Sequence, residues 1–171
     1  MLHVVPQSWL SWNFDVYEGA HQVAEIKVST LPERGTFSID GTSFRARREG
    51  MFSGEFFLED GSENRGENGD QIIARAQKPS ALLKSFEIQY SDRSYKLKKE
   101  SVVGRAFLLL EGDREVGSIR PEGFLSRKAA ALLPAEMPRP VQVFVIWLTI
   151  LMWRRDANAG ASAAASTSSS T

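Results

Sequence analysis

The chain has 171 residues, 42% of them hydrophobic, and its 21 basic and 21 acidic side chains cancel. That size suits one compact domain with a sizeable core, and the charge balance removes any bulk pull toward nucleic acid or lipid. The absence of cysteine excludes disulfides, thiolate chemistry and cysteine-based zinc sites, and it fits a reducing, cytoplasmic setting.

The opening "MLHVVPQSWL" has neither a cationic segment nor a long apolar run, so it does not have the pattern of a secretory signal. Residues 1–11 read as an N-terminal leader, with His3 on a loose terminus. From Trp12 onward the chain is mostly short alternating runs broken by glycine-containing turns. In "TFSIDGTSFRARRE", Phe37 and Ile39 alternate with polar residues, Asp40-Gly41 turns the chain, and Phe44 and Ala46 resume the alternation. Period two around Asp-Gly is a strong hairpin signal. "SFEIQYSDRSYKLKKE" repeats the design with a longer turn between Phe86, Ile88 and Tyr95, Leu97.

These segments are copies of one another. "FRARREGMFSGEFFLEDG" from Phe44 aligns without a gap on "YKLKKESVVGRAFLLLEG" from Tyr95, and "EGAHQVAEIK" from Glu18 aligns on "EGDREVGSIR" from Glu111. "DQIIARAQ" from Asp70 is a looser third member. The repeating unit is strand, turn, strand, short loop, then a hairpin ending in a basic strand. One copy covers about Trp12 to Glu49, a second about Gly54 to Glu100, and a third starts near Arg105 and fades around Pro134. At four strands each, the units give eleven or twelve strands. Three blades are too few for a propeller, whereas one closed sheet leaves no exposed edge.

From Val141 to Trp153 only Gln142 and Thr149 are polar. At ~1.5 Å per residue this run is about 20 Å long, short of the ~30 Å hydrocarbon core of a bilayer. Arg139 stands before it and Arg154-Arg155 after it. Pro138 and Pro140 precede it, where proline is compatible with a first helical turn. A helix that is apolar on all sides must be surrounded, and the lumen of a barrel of this size must be filled. The expectation is a mainly β fold: a closed antiparallel barrel of about twelve strands around a central C-terminal helix, 139–155. Val143, Phe144, Ile146, Trp147, Ile150 and Leu151 supply its core contacts. The alternative is a tail anchor, with the same helix in a membrane and the barrel in the cytoplasm. A third reading, a lipocalin-like carrier, needs an empty lumen. Residues 156–171, "DANAGASAAASTSSST", are small, polar and of low complexity, and read as a disordered tail.

Repeated four-strand units followed by a terminal all-apolar helix resemble the tubby C-terminal-like superfamily, which includes the LURP-one-related proteins and the phospholipid scramblases. The resemblance covers about Trp12 to Arg155. It implies a twelve-stranded barrel closed around a hydrophobic helix, and it adds phosphoinositide binding as a property of tubby relatives. The cysteine-rich segment and proline-rich leader of the scramblases are missing, so the plain LURP-one-like domain is the nearer pattern.

Chemistry is sparse. There is no glycine-flanked nucleophilic serine, phosphate-cradling loop, dinucleotide fingerprint or zinc-protease helix. His21 falls in an expected turn. In "EDGSENRGENGD", Asp60, Ser62 and Asn64 occupy the first ligand positions of a calcium loop. Arg65, however, replaces the glycine of the sharp turn and Gln71 the bidentate glutamate. No enzyme activity, metal, cofactor or nucleic-acid partner is expected. The strands "FRARRE" and "YKLKKE" put Arg45, Arg47, Lys96 and Lys98 outside while Phe44, Ala46, Tyr95 and Leu97 point in. If the two strands share one side of the barrel, those four side chains form a basic patch suited to anionic membrane lipid, giving a cytoplasmic protein peripheral to a membrane. If not, they are solvating charges that guard strand edges.

Overall fold

The computed structural model describes residues 1–29, 33–50, 53–61, 71–79, 84–123 and 126–167, and side chains up to residue 160. Twelve strands close into one barrel in which chain neighbours are sheet neighbours. They are β1 (Leu2–Pro6), β2 (Phe14–Glu18), β3 (His21–Ser29), β4 (Arg34–Ile39), β5 (Thr42–Arg48), β6 (Glu55–Asp60), β7 (Ile72–Gln77), β8 (Ser85–Tyr90), β9 (Arg93–Lys99), β10 (Phe107–Glu111), β11 (Arg114–Pro121) and β12 (Ala129–Leu132). A single helix, α1 (Arg139–Thr167), follows.

Alternation sets the inner face. Leu2 and Val4, Phe14 and Val16, Phe56 and Leu58, Phe86 and Ile88, Tyr95 and Leu97, and Phe107 and Leu109 are all buried. Between them Glu87 on β8 and Lys96 on β9 are exposed, as a period of two requires, while on β6 Phe57 points outward but is covered, lying under the Arg47 and Arg75 guanidinium groups. Asp40 and Gly41 both adopt positive φ, 48° and 77°, which a tight two-residue hairpin turn needs.

The repeat is visible in the registers. The first hairpin of each unit carries a bulge at the same place: between Val16 and Tyr17, between Leu58 and Glu59, and between Leu109 and Leu110. Phe14, Phe56 and Phe107 are the matching inward residues, and each is fully enclosed. The third unit, β10 to β12, lacks a fourth strand of its own. β1 supplies it, pairing Leu2 with Ala131 and Val4 with Ala129 on one side, and running antiparallel to β2 on the other.

Residues 1–11 are therefore not simply a leader. Leu2 and Val4 face the core, and a five-residue run ending in proline is too short to show its alternation in sequence. His3 is not on a loose end, because it sits in β1 with Nδ1 2.7 Å from Glu122 Oε1. His21 is the first residue of β3 and not part of the turn.

The lumen is filled by α1. All thirteen residues from Val141 to Trp153 are buried, and their ~20 Å length matches a wall of six-residue strands. Trp147 stacks on Phe144, with centroids 5.9 Å apart, and meets Phe56 and Phe37 edge-on at 6.0 and 6.3 Å. The two polar residues of the run are satisfied within the core: Gln142 Nε2 donates to the Pro134 carbonyl at 2.9 Å and Thr149 Oγ1 to the Val145 carbonyl at 3.1 Å. A filled lumen leaves no room for the ligand of a lipocalin-like carrier. Among the described residues no helix is long and apolar enough to cross a membrane.

The helix does not stop at Arg155. Residues 156–167, expected to be disordered, continue it. Alanine is the best helix former, and extending an existing helix avoids the cost of nucleation. Residues 168–171 lie outside the described set.

Candidate functional site

In an up-and-down barrel every odd-to-even connection lies at one end and every even-to-odd connection at the other. The helix enters at the even-to-odd end, where Arg139 Nη2 contacts Glu18 Oε2 at 2.7 Å. It leaves at the odd-to-even end. There Arg155 is paired with Glu33 at 2.6 Å, Trp153 Nε1 donates to the Arg105 carbonyl at 2.8 Å, and Asp156 meets two lysines.

Those lysines belong to a groove on the outside of the second unit, lined by Lys84, Ser85, Lys96, Lys98, Lys99 and Val102 among others. β9 supplies three of the four lysines. Lys96 and Lys98 are exposed because Tyr95 and Leu97 take the inward positions. Lys99 shares the inward parity, but it falls at the rim where the wall ends, and its ammonium contacts Asp156 Oδ2 at 2.6 Å. Lys84 contacts Asp156 Oδ1 at 2.7 Å. Burial pushes the Asp156 carboxyl up, but hydrogen bonds from Lys84 and Lys99 outweigh it and hold the group below its ordinary range. Glu87 lies beside Lys96 in the sheet register, and Glu100, engaged by Arg120 at 2.8 Å, also lines the groove, so four lysines face one acidic lining residue.

The four sequence candidates are not brought together. β5 and β9 are separated by β6, β7 and β8, which at ~4.8 Å per strand is about 19 Å around the wall. Arg47 is held by Glu59, whose buried carboxylate it meets at 2.7 Å, and it lies over the Phe57 ring at 5.0 Å. Arg45 is exposed and likewise engaged. Lys96 and Lys98 have no side-chain partner among the described residues and point into the groove. The β9 half of the expected patch is thus available to a ligand, and the β5 half is tied into the wall.

Sequence reasoning missed Lys84 and Lys99 as neighbours of Lys96 and Lys98. Lys84 reaches the groove through the pairing of β8 with β9, in which Ser85 lies opposite Lys98. The run "KLKK" was the available signal. It also missed the connection after β9, where Val102 and Val103 face solvent beside the groove.

Ser62–Asp70, most of the calcium-like loop, lie outside the described residues. No cluster of metal-ligating side chains occurs among the described residues. No family model, curated protein or solved structure matches the chain.

Proposed function

We propose that this chain is a non-enzymatic binding module, a divergent tubby-like barrel of the LURP-one-related kind, that attaches peripherally to anionic phospholipid through the β9 groove. The single observation that carries this reading is the pair of unpartnered ammonium groups, Lys96 and Lys98, in a groove with Lys84 and Lys99. Lysine engages phosphate as a point charge without fixed geometry, so a lysine groove suits a headgroup layer better than one rigid ligand. The architecture supports the lineage: twelve strands around a C-terminal helix, built from three four-strand units. The tail-anchor reading uses residues that the barrel already encloses.

Sedimentation with phosphatidylcholine vesicles, with and without phosphatidylserine, at low and high salt, tests the proposal. Binding should need phosphatidylserine, weaken with salt, and fall at least about ten-fold in the double variant Lys96→Glu, Lys98→Glu. Arg45→Glu should bind like the wild type. Equal binding to both vesicle types, or a stronger loss with Arg45→Glu than with the lysine variant, would overturn it.

A further inference from the structure

At the end of the barrel where the helix emerges, four large apolar side chains stand in solvent. Trp9 is 84% and Leu10 90% exposed on the β1–β2 connection, and Val102 is 91% and Val103 95% exposed on the β9–β10 connection. At the opposite end the tight turns Asp40-Gly41, Ser91-Asp92 and Gly112-Asp113 each carry a polar side chain, Gly19-Ala20 does not, and the exposed apolar residues Met1, Ile72 and Leu132 lie at the ends of β1, β7 and β12 and not on these turns.

Both exposed pairs are braced. Arg127 donates to the carbonyls of Ser8, Trp9 and Ser11, at 2.5, 2.5 and 2.7 Å, and its guanidinium lies 5.3 Å from the Trp12 ring centre. The Ser11 amide donates to Ser8 Oγ at 3.0 Å. One arginine from a neighbouring connection therefore fixes the loop backbone while Trp9 and Leu10 stay outside. In the other loop the Gly104 amide donates to Ser101 Oγ at 2.8 Å and the Glu100 amide to the Ala106 carbonyl at 3.0 Å. Fixed backbones that hold apolar side chains away from the protein are the opposite of what burial favours. They lower the ordering cost of binding.

We infer that this end of the barrel is a membrane-docking face: Trp9, Leu10, Val102 and Val103 enter the interfacial layer of an anionic bilayer while the β9 lysines lie against its headgroups. The inference rests on the lysine-groove reading and adds the orientation and depth of docking. The occupant is a bilayer because the two apolar loops are two strands apart on the rim, separated by β11 and β12, and the free cations Lys96 and Lys98 stand beside one of them. A protein partner would need a matching apolar groove and acidic rim. A bilayer offers both over any area, and tryptophan favours its interface.

Tryptophan emission with phosphatidylserine vesicles, some carrying acyl-brominated lipid, tests the docking face. Wild type should shift to the blue and be quenched by bromine, and Trp9→Ala should lose that component. Val102→Asp with Val103→Asp should weaken vesicle binding about ten-fold or more at an unchanged melting temperature. If vesicles bind in a Lys96- and Lys98-dependent way but emission is unmoved and the valine variant binds normally, insertion is wrong and the lysine groove survives. If emission shifts yet the lysine variant binds equally well, the groove reading is wrong and insertion survives. Absence of vesicle binding, or a dimer in solution that shields Trp9 from aqueous quencher, overturns the docking face.

Discussion

The indole of Trp147 occupies the space that a side chain on Gly35 would need. A Cβ built on Gly35 would lie 2.5 Å from Trp147 Nε1, 2.8 Å from Cδ1 and 2.9 Å from Phe37 Cε1. The equivalent position in the second unit is Phe86, the second residue of β8 as Gly35 is of β4. One unit has given up its inward side chain so that the largest residue of the plug can sit against the wall. Gly35→Ala is therefore expected to destabilise the fold by roughly 1–3 kcal/mol through overpacking. Trp147→Phe in the same chain should relieve part of that, so the double variant costs less than the two single changes added together. Urea melts of the three variants measure the coupling.

Ile146 lies in the middle of the enclosed helix and is about 1% exposed. Ile146→Asp places an unpaired carboxylate among apolar groups, which the core cannot solvate. The expected result is loss of the cooperative thermal transition by circular dichroism. Ile146→Val, which removes one methylene, should cost only about 0.5–1.5 kcal/mol. A folded Ile146→Asp protein with a wild-type melt would contradict the enclosed position of the helix.

The N-terminal strand and the helical extension should respond oppositely to deletion. Removing Met1–Pro6 takes β1 from between β12 and β2 and opens the barrel along two edges, so a cooperative melt should be lost. Removing residues 157–171 leaves Asp156 and every residue of the enclosed run in place, and the melt should stay within a few degrees of wild type.

The Asp156 carboxylate is held below its ordinary value of 3.8 by Lys84 and Lys99, against the upward push of burial. A group with a lowered folded-state pKa stabilises the fold fully above its unfolded value and loses that contribution as pH falls through the folded one. The difference in melting temperature between wild type and Asp156→Asn should be constant from neutral pH to about 5 and shrink below about 4. Its size corresponds to no more than about 1 kcal/mol for a partly exposed pair.

Much of the barrel was legible from residues. Phe37, Ile39, Phe44 and Ala46 alternate around Asp40-Gly41, and that pattern is β4, its turn and β5. The gapless match of Glu18-Gly19 to Glu111-Gly112 marks equivalent turns, with Gly19 and Gly112 at φ 59° and 60°. The enclosure of Val141–Trp153 followed from its length and its apolar circumference. What sequence could not carry was closure. β1 completes a unit that begins more than a hundred residues later, and no local pattern in "LHVVP" announces that partner. Alternation carries the outward orientation of Lys96 and Lys98, but the separation of the two basic strands around the wall depends on strand order. Arg47 also depends on Glu59, which lies next to it only in the sheet register. The helical extension was hidden by composition, because "AGASAAAS" is both low in complexity and rich in the best helix former.

Because Leu2 and Val4 must wait for Ala131 and Ala129, and the plug is translated after both, the nascent chain cannot close and fill its barrel on the ribosome until residues 129–153 have been made. Until then an unpaired edge and an unfilled lumen coexist, a state prone to intermolecular pairing. Output of soluble protein should thus depend on how quickly the codons of the plug are read: slow codons placed between Pro134 and Trp153 should lower the yield, while the same codons placed before Trp12 should not.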